Sequence, residues 1–286
     1  MNYSNKEKNR FINRYGKWAL VTGASSGIGE SISKHLAALG FNLLLVARNN
    51  DKLKLLAYHF AVDFKVQAIP FQADLTKEAD LEALKYKIEK IEQDNSAITG
   101  TSDEFGLAVL NAGFGTSGEF RNASLNDERE MLALNCNATL TLAHYFSHRF
   151  SMKRRGGIIL LGSLVGFQGV PFAAHYAATK AYIQSLGEAL ALELKPFHVD
   201  VLVAAPGPVK TGFGPRAKMT MTNALEAESV ATSILKSLGK ASTVHPGWLS
   251  KVLMLGLSSV PRWGKIRIMK AVMGEMTKET RTSTHK

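Results

Sequence analysis

Cysteine is almost absent from this sequence, with Cys136 as the single example among 286 residues. One cysteine cannot form an intrachain disulfide, and such sparing use is typical of proteins from a reducing compartment. Cys136 has no recognisable base to activate its thiol, so we expect it to pack in the interior. Cysteines and histidines with the spacing of a zinc site are missing as well, and we predict no metal site.

Long apolar runs are also missing. No stretch reaches the about 18 apolar residues that a membrane span requires. Residues 1–15 are polar and basic, without the apolar centre of a signal peptide. We therefore expect a soluble protein of the cytoplasm.

Acidic residues are fewer than basic ones, which gives a net charge of +11 and an isoelectric point near 9.6. Such an excess favours an anionic partner: a nucleic acid, a membrane surface or a phosphorylated ligand. Lysine and arginine are scattered except near the two ends of the chain, and the aromatic residues lack the pattern of an RNA-binding sheet. We therefore expect no nucleic-acid partner.

Apolar runs of strand length alternate with amphipathic segments of helical length over most of the chain. This alternation predicts right-handed β-α-β units and a parallel sheet with helices on both faces. We predict an α/β fold of the doubly wound Rossmann type, with a mostly parallel seven-stranded sheet in a single domain. The predicted strands are residues 17–21, 42–47, 66–72, 107–110, 157–161, 199–204 and 243–245, and the main helices are residues 28–39, 52–60, 77–92, 127–150, 173–194 and 227–238.

No linker divides the chain, so residues 1–286 are predicted to form one domain. The C-terminal extension has two interpretations: helices that pack on the sheet edge or on a second subunit, or a basic amphipathic surface that makes peripheral contact with a membrane. The predicted parts outside the sheet are a basic N-terminal arm at 1–16, a polar loop at 94–102, a substrate loop at 207–224 and a C-terminal helical extension at 246–286.

A glycine-rich turn links the first predicted strand to the first predicted helix. Gly23, Gly27 and Gly29 are spaced Gly-x-x-x-Gly-x-Gly within residues 20–29. Glycine lets the backbone turn tightly and approach a ligand closely, and the first amides of the helix have no internal partner. The combination predicts a site for an anionic diphosphate, although a plain strand-to-helix turn uses the same residues.

Polar residues follow the other strand ends, where ligands bind in sheets of this kind. Beyond one such end, Tyr176 and Lys180 are four residues apart and share a helix face. An ammonium group there favours the ionised phenol, whose ordinary pKa of about 10 is too high for acid–base chemistry near neutrality. Ser163 ends the preceding strand and is placed to hydrogen-bond a substrate carbonyl.

Each of these residues has an ordinary structural role as its alternative. Ser163 suits a turn, Tyr176 a packed aromatic ring, and Lys180 an exposed helix face. Asp74 suits a helix cap, and Asn111 suits a brace between central strands. Because these residues occur together at the strand ends, where ligands bind, an active site is the favoured interpretation.

These motifs resemble the classical short-chain dehydrogenase/reductase family, from about Lys17 to Thr211. The resemblance implies the doubly wound fold and a nicotinamide-dependent oxidoreductase. The matching motifs are residues 22–29 for Thr-Gly-x-x-x-Gly-x-Gly, residues 111–113 for Asn-Ala-Gly, Asn135 for the catalytic asparagine, Ser163, Tyr176 and Lys180 for the serine and Tyr-x-x-x-Lys, and Pro206-Gly207 followed by Val209 and Thr211.

The resemblance also implies catalytic roles. Tyr176 is the proton donor in reduction or the base in oxidation, and Lys180 lowers its pKa and hydrogen-bonds the nicotinamide ribose. Ser163 orients the substrate oxygen. Asn135 helps to hold a water that relays protons through Lys180, and Asn137 on the same helix is its rival for this position.

Contacts with the cofactor follow from the same resemblance. The Val209 backbone and Thr211 hold the carboxamide, while Asp74 meets the adenine and Asn111 the backbone nearby. The residues predicted to bind the cofactor are Gly23, Ser25, Ser26, Gly27, Ile28, Gly29, Arg48, Asp74, Leu75, Asn111, Ala112, Gly113, Tyr176, Lys180, Pro206, Gly207, Val209 and Thr211.

The residue at the end of the second predicted strand indicates whether the cofactor is NAD or NADP. An acidic residue there would hold the adenosine ribose and favour NAD, whereas Arg48 offers a guanidinium fork to a 2′-phosphate. The next acidic residue is Asp51, which is too far along to replace it. We therefore predict NADP(H), and with it the reduction of a carbonyl.

A small-molecule carbonyl or alcohol is the predicted substrate, with a hydrophobic ketone such as a 3-oxoacyl chain or a steroid-like ring favoured. The alternative function is a cofactor-binding sensor or scaffold without turnover. The residues expected to line an apolar mouth, unless they only pack, are Phe114, Leu164, Val165, Phe167, Val170 and Phe172.

A homodimer or homotetramer is also expected, because members of the family often pair two long helices, which here are residues 127–150 and 173–194. The side chains compatible with such a surface are Leu140, Ala143, Ala181 and Leu186.

Overall fold

The computed structural model describes residues 3–99, 104–221 and 224–278 of the chain. Its strands are β1 (Trp18–Thr22), β2 (Asn42–Ala47), β3 (Ala68–Gln72), β4 (Phe105–Leu110), β5 (Gly156–Leu161), β6 (Val199–Ala204), β7 (Val209–Lys210), β8 (Leu225–Glu226) and β9 (Thr243–Val244). Its α-helices are α1 (Asn5–Tyr15), α2 (Gly27–Ala38), α3 (Asn50–Phe64), α4 (Glu78–Thr99), α5 (Leu125–Leu132), α6 (Thr139–Lys153), α7 (Ala174–Glu193), α8 (Phe213–Ala217), α9 (Ala227–Ser237), α10 (Trp248–Ser258) and α11 (Arg262–Met276).

The main sheet has seven parallel strands in the order β3-β2-β1-β4-β5-β6-β9. Successive side chains of a strand point to opposite faces, and both faces are covered here. In β2, Leu43 and Leu45 pack with α1, α2, α3 and α9, whereas Leu44 and Val46 pack with α4, α6 and α7. The doubly wound fold predicted from the sequence is thereby confirmed.

The N-terminal segment was predicted as a basic arm with a helix around residues 9–15, and the helix in fact begins at Asn5. The described part of the segment forms α1, which begins with a capping box between Ser4 and Glu7. Phe11 and Tyr15 are buried against the sheet. A Cβ on Gly106 would lie only 1.7 Å from the Tyr15 carbonyl oxygen, so β4 needs a glycine where α1 ends.

Two of the predicted helices, residues 52–60 and 77–92, are longer than predicted. α4 continues to Thr99, where a loop from residue 94 was predicted, and residues 100–103 lie outside the described part. Ion pairs from Arg149 and Lys153 to Glu92 tie this end of α4 to α6. α3 begins at Asn50, because the Asn49 side chain accepts the capping hydrogen bond from the Lys52 amide.

The segment after β7 contains a short helix, α8, within the predicted substrate loop. Beyond β9, α10 and α11 form the described part of the predicted C-terminal extension. Among residues 3–99, 104–221 and 224–278, no helix has the length and apolarity needed to cross a bilayer.

Candidate active site

A cavity of about 880 Å³ lies at the carboxyl edge of the sheet. Parallel strands end at one edge, so residues far apart in the chain meet there. Every residue predicted to be catalytic or to bind the cofactor lines this cavity, with the exceptions of Gly29 and Asn135.

The turn before α2 has the tight backbone conformation that its glycines predict. Gly23 and Gly27 have φ angles of 64° and 60°, in the left-handed region that favours glycine. A Cβ on Gly29 would lie 2.3 Å from the Gly23 carbonyl oxygen, so this glycine permits close packing of α2 on the turn. Ser26, the N-cap, makes no side-chain hydrogen bond to the first amides of α2. Those amides fit an anionic phosphate group.

Asn111 has the bracing role that the sequence left open, whereas Asp74 lies in a turn ahead of α4 and does not cap that helix; both border the cavity. The Asn111 Nδ2 atom donates to the carbonyl oxygens of Thr22 at 2.9 Å and Gly23 at 3.2 Å. The Asp74 carboxylate accepts from the Thr76 hydroxyl at 2.8 Å. Burial opposes the ionisation of Asp74, but the hydrogen bonds from Thr76 outweigh burial and lower its pKa.

Tyr176 lies in the first turn of α7 and is buried, with its ring 5.4 Å from the ring of Phe213. Burial raises the pKa of the Tyr176 phenol to about 12, and a hydrogen bond with the Ser163 hydroxyl opposes this rise. Ser163 lies two residues beyond the end of β5. The phenol is therefore protonated at neutral pH, as a proton donor must be.

Lys180 lies one turn further along α7 and is also buried. Its ammonium group donates to the Leu161 carbonyl oxygen at 2.7 Å and lies 5.9 Å from the centre of the Tyr176 ring. Burial lowers the pKa of Lys180 to about 8, while Cys136 acts in the opposite direction. Burial and Ser163 account for the pKa of Tyr176 in this geometry, so a lowering by Lys180 stays a prediction.

Asn135 does not line the cavity but connects neighbouring segments through hydrogen bonds. It lies in a π-helical turn between α5 and α6, a feature that is frequent near functional sites. Its Oδ1 accepts from the Phe114 amide at 3.1 Å, and its Nδ2 donates to the Phe114 carbonyl at 2.8 Å and to the Thr179 hydroxyl at 3.0 Å. The side chain is thus committed to protein groups, and a contact of Asn135 with a relay water stays a prediction. The rival, Asn137, is exposed and does not line the cavity.

Arg48 belongs to a charged cluster that the sequence did not reveal. Its Nη1 atom lies 3.3 Å from Oε1 of Glu130, and Nη2 of Arg216 lies 3.7 Å from the same oxygen. The Arg216 guanidinium also stacks 4.0 Å from the centre of the Phe114 ring. Both arginines line the cavity and share one carboxylate, so the cluster keeps a net positive charge.

A second buried network lies beside Tyr176. The Glu128 carboxylate is 2.6 Å from His175 Nδ1 and accepts from the Thr116 hydroxyl at 2.7 Å. Glu128 is on α5 and His175 directly precedes Tyr176, so the network joins α5 to the start of α7. Thr116, Glu128 and His175 are far apart in the chain, so no local sequence pattern predicted this network.

The apolar part of the lining was only half predicted. Phe114, Leu164 and Val165 line the cavity, as expected. Phe167, Val170 and Phe172 do not, and Phe167 instead packs 5.3 Å from the ring of His245. The methionines of the lining were not predicted, and the methionine-rich loop and the apolar C-terminal segments were their only signal. These methionines are Met219, Met221, Met254, Met269, Met273 and Met276.

A glycine turn and a buried Tyr-Lys pair at the carboxyl edge of a doubly wound sheet define a dinucleotide-dependent oxidoreductase. A family model described as short chain dehydrogenase matches residues 17–221. The chain belongs to this family.

Relatives agree with this assignment. The 7beta-hydroxysteroid dehydrogenase of Clostridium sardiniense is 28% identical over 251 residues, which cover 85% of this chain and 90% of that protein. A very-long-chain 3-oxoacyl-CoA reductase-like protein of Arabidopsis thaliana is 29% identical over 260 residues, which cover 87% of this chain and 79% of that protein. A solved short-chain dehydrogenase from Sphingobium yanoikuyae, in complex with NADPH, has a TM-score of 0.73 and 28% identity, covering 86% of this chain and 96% of that one.

Proposed function

We propose that this protein reduces a bulky, apolar ketone with NADPH and that Tyr176 supplies the proton. The observation that carries the proposal is the lining of one cavity. It contains the glycine turn, the group Ser163, Tyr176 and Lys180, and an apolar wall from α8, α10 and α11. The reverse oxidation of the matching secondary alcohol uses the same groups.

The residues present fit a dinucleotide. The uncapped amides of α2 suit its diphosphate, and the buried Lys180 ammonium suits the ribose hydroxyls beside the nicotinamide. Val209 and Thr211 border the same cavity and suit the carboxamide. When bound, the nicotinamide supplies a hydride to the carbonyl carbon.

Residues of the protein supply the proton and orient the substrate carbonyl. Tyr176 is protonated at neutral pH and donates to the carbonyl oxygen as negative charge develops there. The Ser163 hydroxyl hydrogen-bonds the same oxygen and fixes its position. The Lys180 ammonium favours the phenolate that remains after proton transfer.

The preference for NADPH rests on Arg48 and Arg216. Two guanidinium groups around one carboxylate leave a positive charge that suits a phosphate group. The NADPH complex of the Sphingobium yanoikuyae relative supports the same cofactor. If Arg48→Asp left the ratio of NADPH to NADH activity unchanged, this preference would be wrong.

The substrate class rests on the methionine-rich wall. Methionine is unbranched and adapts to irregular apolar shapes, which suits a large ring or acyl chain. The names of two relatives, a 7beta-hydroxysteroid dehydrogenase and a very-long-chain 3-oxoacyl-CoA reductase-like protein, point to such carbonyl compounds.

A carbonyl panel tests the proposal. NADPH oxidation is followed with ketosteroids, 3-oxoacyl thioesters and small ketones, and the bulky compounds should give the higher kcat/KM. Tyr176→Phe should lower kcat about 100-fold or more, since it removes the proton donor. NADPH binding without oxidation on any compound would favour the sensor or scaffold instead.

A homo-oligomer and a cytoplasmic location stay predictions. On the helix α6, Leu140 is exposed and available to a partner, whereas Ala143 is buried in the core and is not. Of these two candidates, only Leu140 suits an interface. Sedimentation of the purified protein measures the oligomeric state.

A further inference from the structure

The helices α10 and α11 expose an apolar surface beside the cavity. α10 has 11 residues, of which Lys251 alone is charged. A helix this apolar is ordinarily buried, so its exposure indicates that another surface covers it. We call the following exposed side chains the α10–α11 face: Trp248, Val252, Leu253, Trp263, Ile268 and Val272.

Positive charge is interspersed with this face. Residues 248–276 contain one acidic residue, Glu275, against five basic ones. The Arg267 guanidinium lies 5.2 Å from the centre of the Trp263 ring, so cationic and aromatic groups share one surface. The five basic residues are Lys251, Arg262, Lys265, Arg267 and Lys270.

Charge decides which occupant suits the face. A second copy of the chain would bring the same cations opposite one another, which opposes association. Anionic lipid headgroups above acyl chains complement both the cations and the apolar side chains. Tryptophan in particular favours the boundary between lipid and water.

The face is continuous with the cavity. Leu253, Ile268 and Val272 are exposed and also line the cavity, whereas Met273 of the same helix is buried. The rim of the apolar wall is therefore part of the α10–α11 face.

We propose that the α10–α11 face docks on an anionic lipid surface and admits the apolar substrate to the cavity from the lipid. The second half of this inference rests on the proposed function, and the first half does not. A helix of 11 residues is about 16 Å long, against about 30 Å for the hydrocarbon layer. The face therefore lies in the headgroup region rather than across the bilayer.

Vesicle binding of the full-length protein tests the docking. Phosphatidylcholine vesicles with and without phosphatidylserine are the probes, and flotation and tryptophan fluorescence are the measurements. Trp18 is fully buried, so a blue shift on binding reports Trp248 and Trp263. We expect the shift and co-flotation with the anionic vesicles, and weaker binding at high salt.

Matched variants identify the surface. Trp248→Ala with Trp263→Ala removes side chains that are 73% and 63% exposed, and Tyr58→Ala with Tyr86→Ala removes aromatic controls that are 65% and 68% exposed. The first pair should weaken vesicle binding about tenfold or more, and the control pair should not. Neither tryptophan lines the cavity, so oxidation of NADPH with a water-soluble ketone should persist.

A variant with two lysine charges removed distinguishes a lipid partner from a protein partner. Lys251→Gln with Lys270→Gln should weaken binding to anionic vesicles about fivefold for each charge and leave binding to neutral vesicles unchanged. Equal vesicle binding by wild type and the tryptophan variant would overturn the proposal. So would a dimer that the tryptophan changes dissociate, since the face would then join two copies. The ketone assay contains no vesicles, so failure of docking and failure of the reductase function are measured separately.

Discussion

At the scale of single residues, burial sets the chemistry of the site. Taking a group out of water disfavours its charged form, so burial raises the pKa of Tyr176 and lowers that of Lys180. The two shifts have different uses. In the proposed reaction the phenol stays protonated as the donor, and the ammonium can release its proton within the pH range in which enzymes work.

The activity of the free enzyme should therefore depend on the Lys180 ammonium. Because burial lowers the pKa of Lys180 from 10.5 to about 8, kcat/KM for reduction should fall as pH rises through about 8. Lys180→Arg keeps a charge throughout, so the fall should be lost in whatever activity that variant retains. The measurement is a kcat/KM profile from about pH 6 to about pH 10. A wild-type profile that stays flat across this range would contradict the lowered pKa.

A second prediction concerns Glu130. Its carboxylate neutralises part of the charge of Arg48 and Arg216, so Glu130→Gln should free both guanidinium groups for a phosphate. An exposed pair contributes about 0–1 kcal/mol, so we expect up to about fivefold tighter binding of NADPH. Binding of NADH, which lacks the phosphate, should change little. Titration of both cofactors measures this, and an equal change for both would refute it.

At the scale of elements, close packing places α2 where its amides reach the cavity. The contact depends on the missing Cβ of Gly29, directly over the Gly23 carbonyl oxygen. The π-helical turn between α5 and α6 has a comparable role, since it carries the Asn135 amide to the Phe114 backbone.

Gly29→Ala should thus displace α2 and weaken the cofactor site. Insertion of a methyl group into such a contact typically costs about 1–3 kcal/mol, and the neighbour here is backbone that cannot rotate away. We expect a lower Tm and loss of NADPH binding. Gly256→Ala is the matched control, because a Cβ on Gly256 meets nothing within 4 Å. If Gly29→Ala bound NADPH normally, the close contact would have no functional role.

At the scale of the whole molecule, α1 is joined to the far half of the sheet. The Asp200 carboxylate of β6 accepts from the Tyr15 hydroxyl at 2.7 Å, and from Nε and Nη2 of Arg14 at 2.6 Å and 2.7 Å. Burial and the neighbouring Asp200 raise the pKa of Tyr15, so its hydroxyl remains a donor. These hydrogen bonds fix α1 to β6, so the described N-terminal segment is part of the folded body and not a separate arm.

Tyr15→Phe should lower stability without loss of activity. It removes one hydrogen bond to a carboxylate, which contributes about 1.5–3 kcal/mol, and Tm should fall by several degrees. Tyr58→Phe changes an exposed hydroxyl and is the control. Thermal unfolding followed by circular dichroism measures both. An unchanged Tm for Tyr15→Phe would show that Arg14 alone holds Asp200.

The strands and the position of the site could be predicted from local patterns. Apolar runs defined the strands, and the spacing of Tyr176 and Lys180 defined a shared helix face. The lengths of α3 and α4 were not predicted, because a cap at Asn49 and the ion pairs of Glu92 settle them. The partners of Glu92 lie 57 and 61 residues further along the chain, outside the window in which periodicity acts. The Asn49 cap is only three residues from Lys52, so it is a local signal that the prediction overlooked.

The sequence by itself determined the doubly wound sheet, the glycine turn and the edge at which Ser163 and Tyr176 meet, since each depends on neighbours a few residues apart. Only the tertiary structure decided that Arg216 shares Glu130 with Arg48. It also decided that methionines of two helices, α10 and α11, and of the loop after α8 form one wall. These contacts join segments separated by tens to hundreds of residues, and no local pattern records which of them fold against each other.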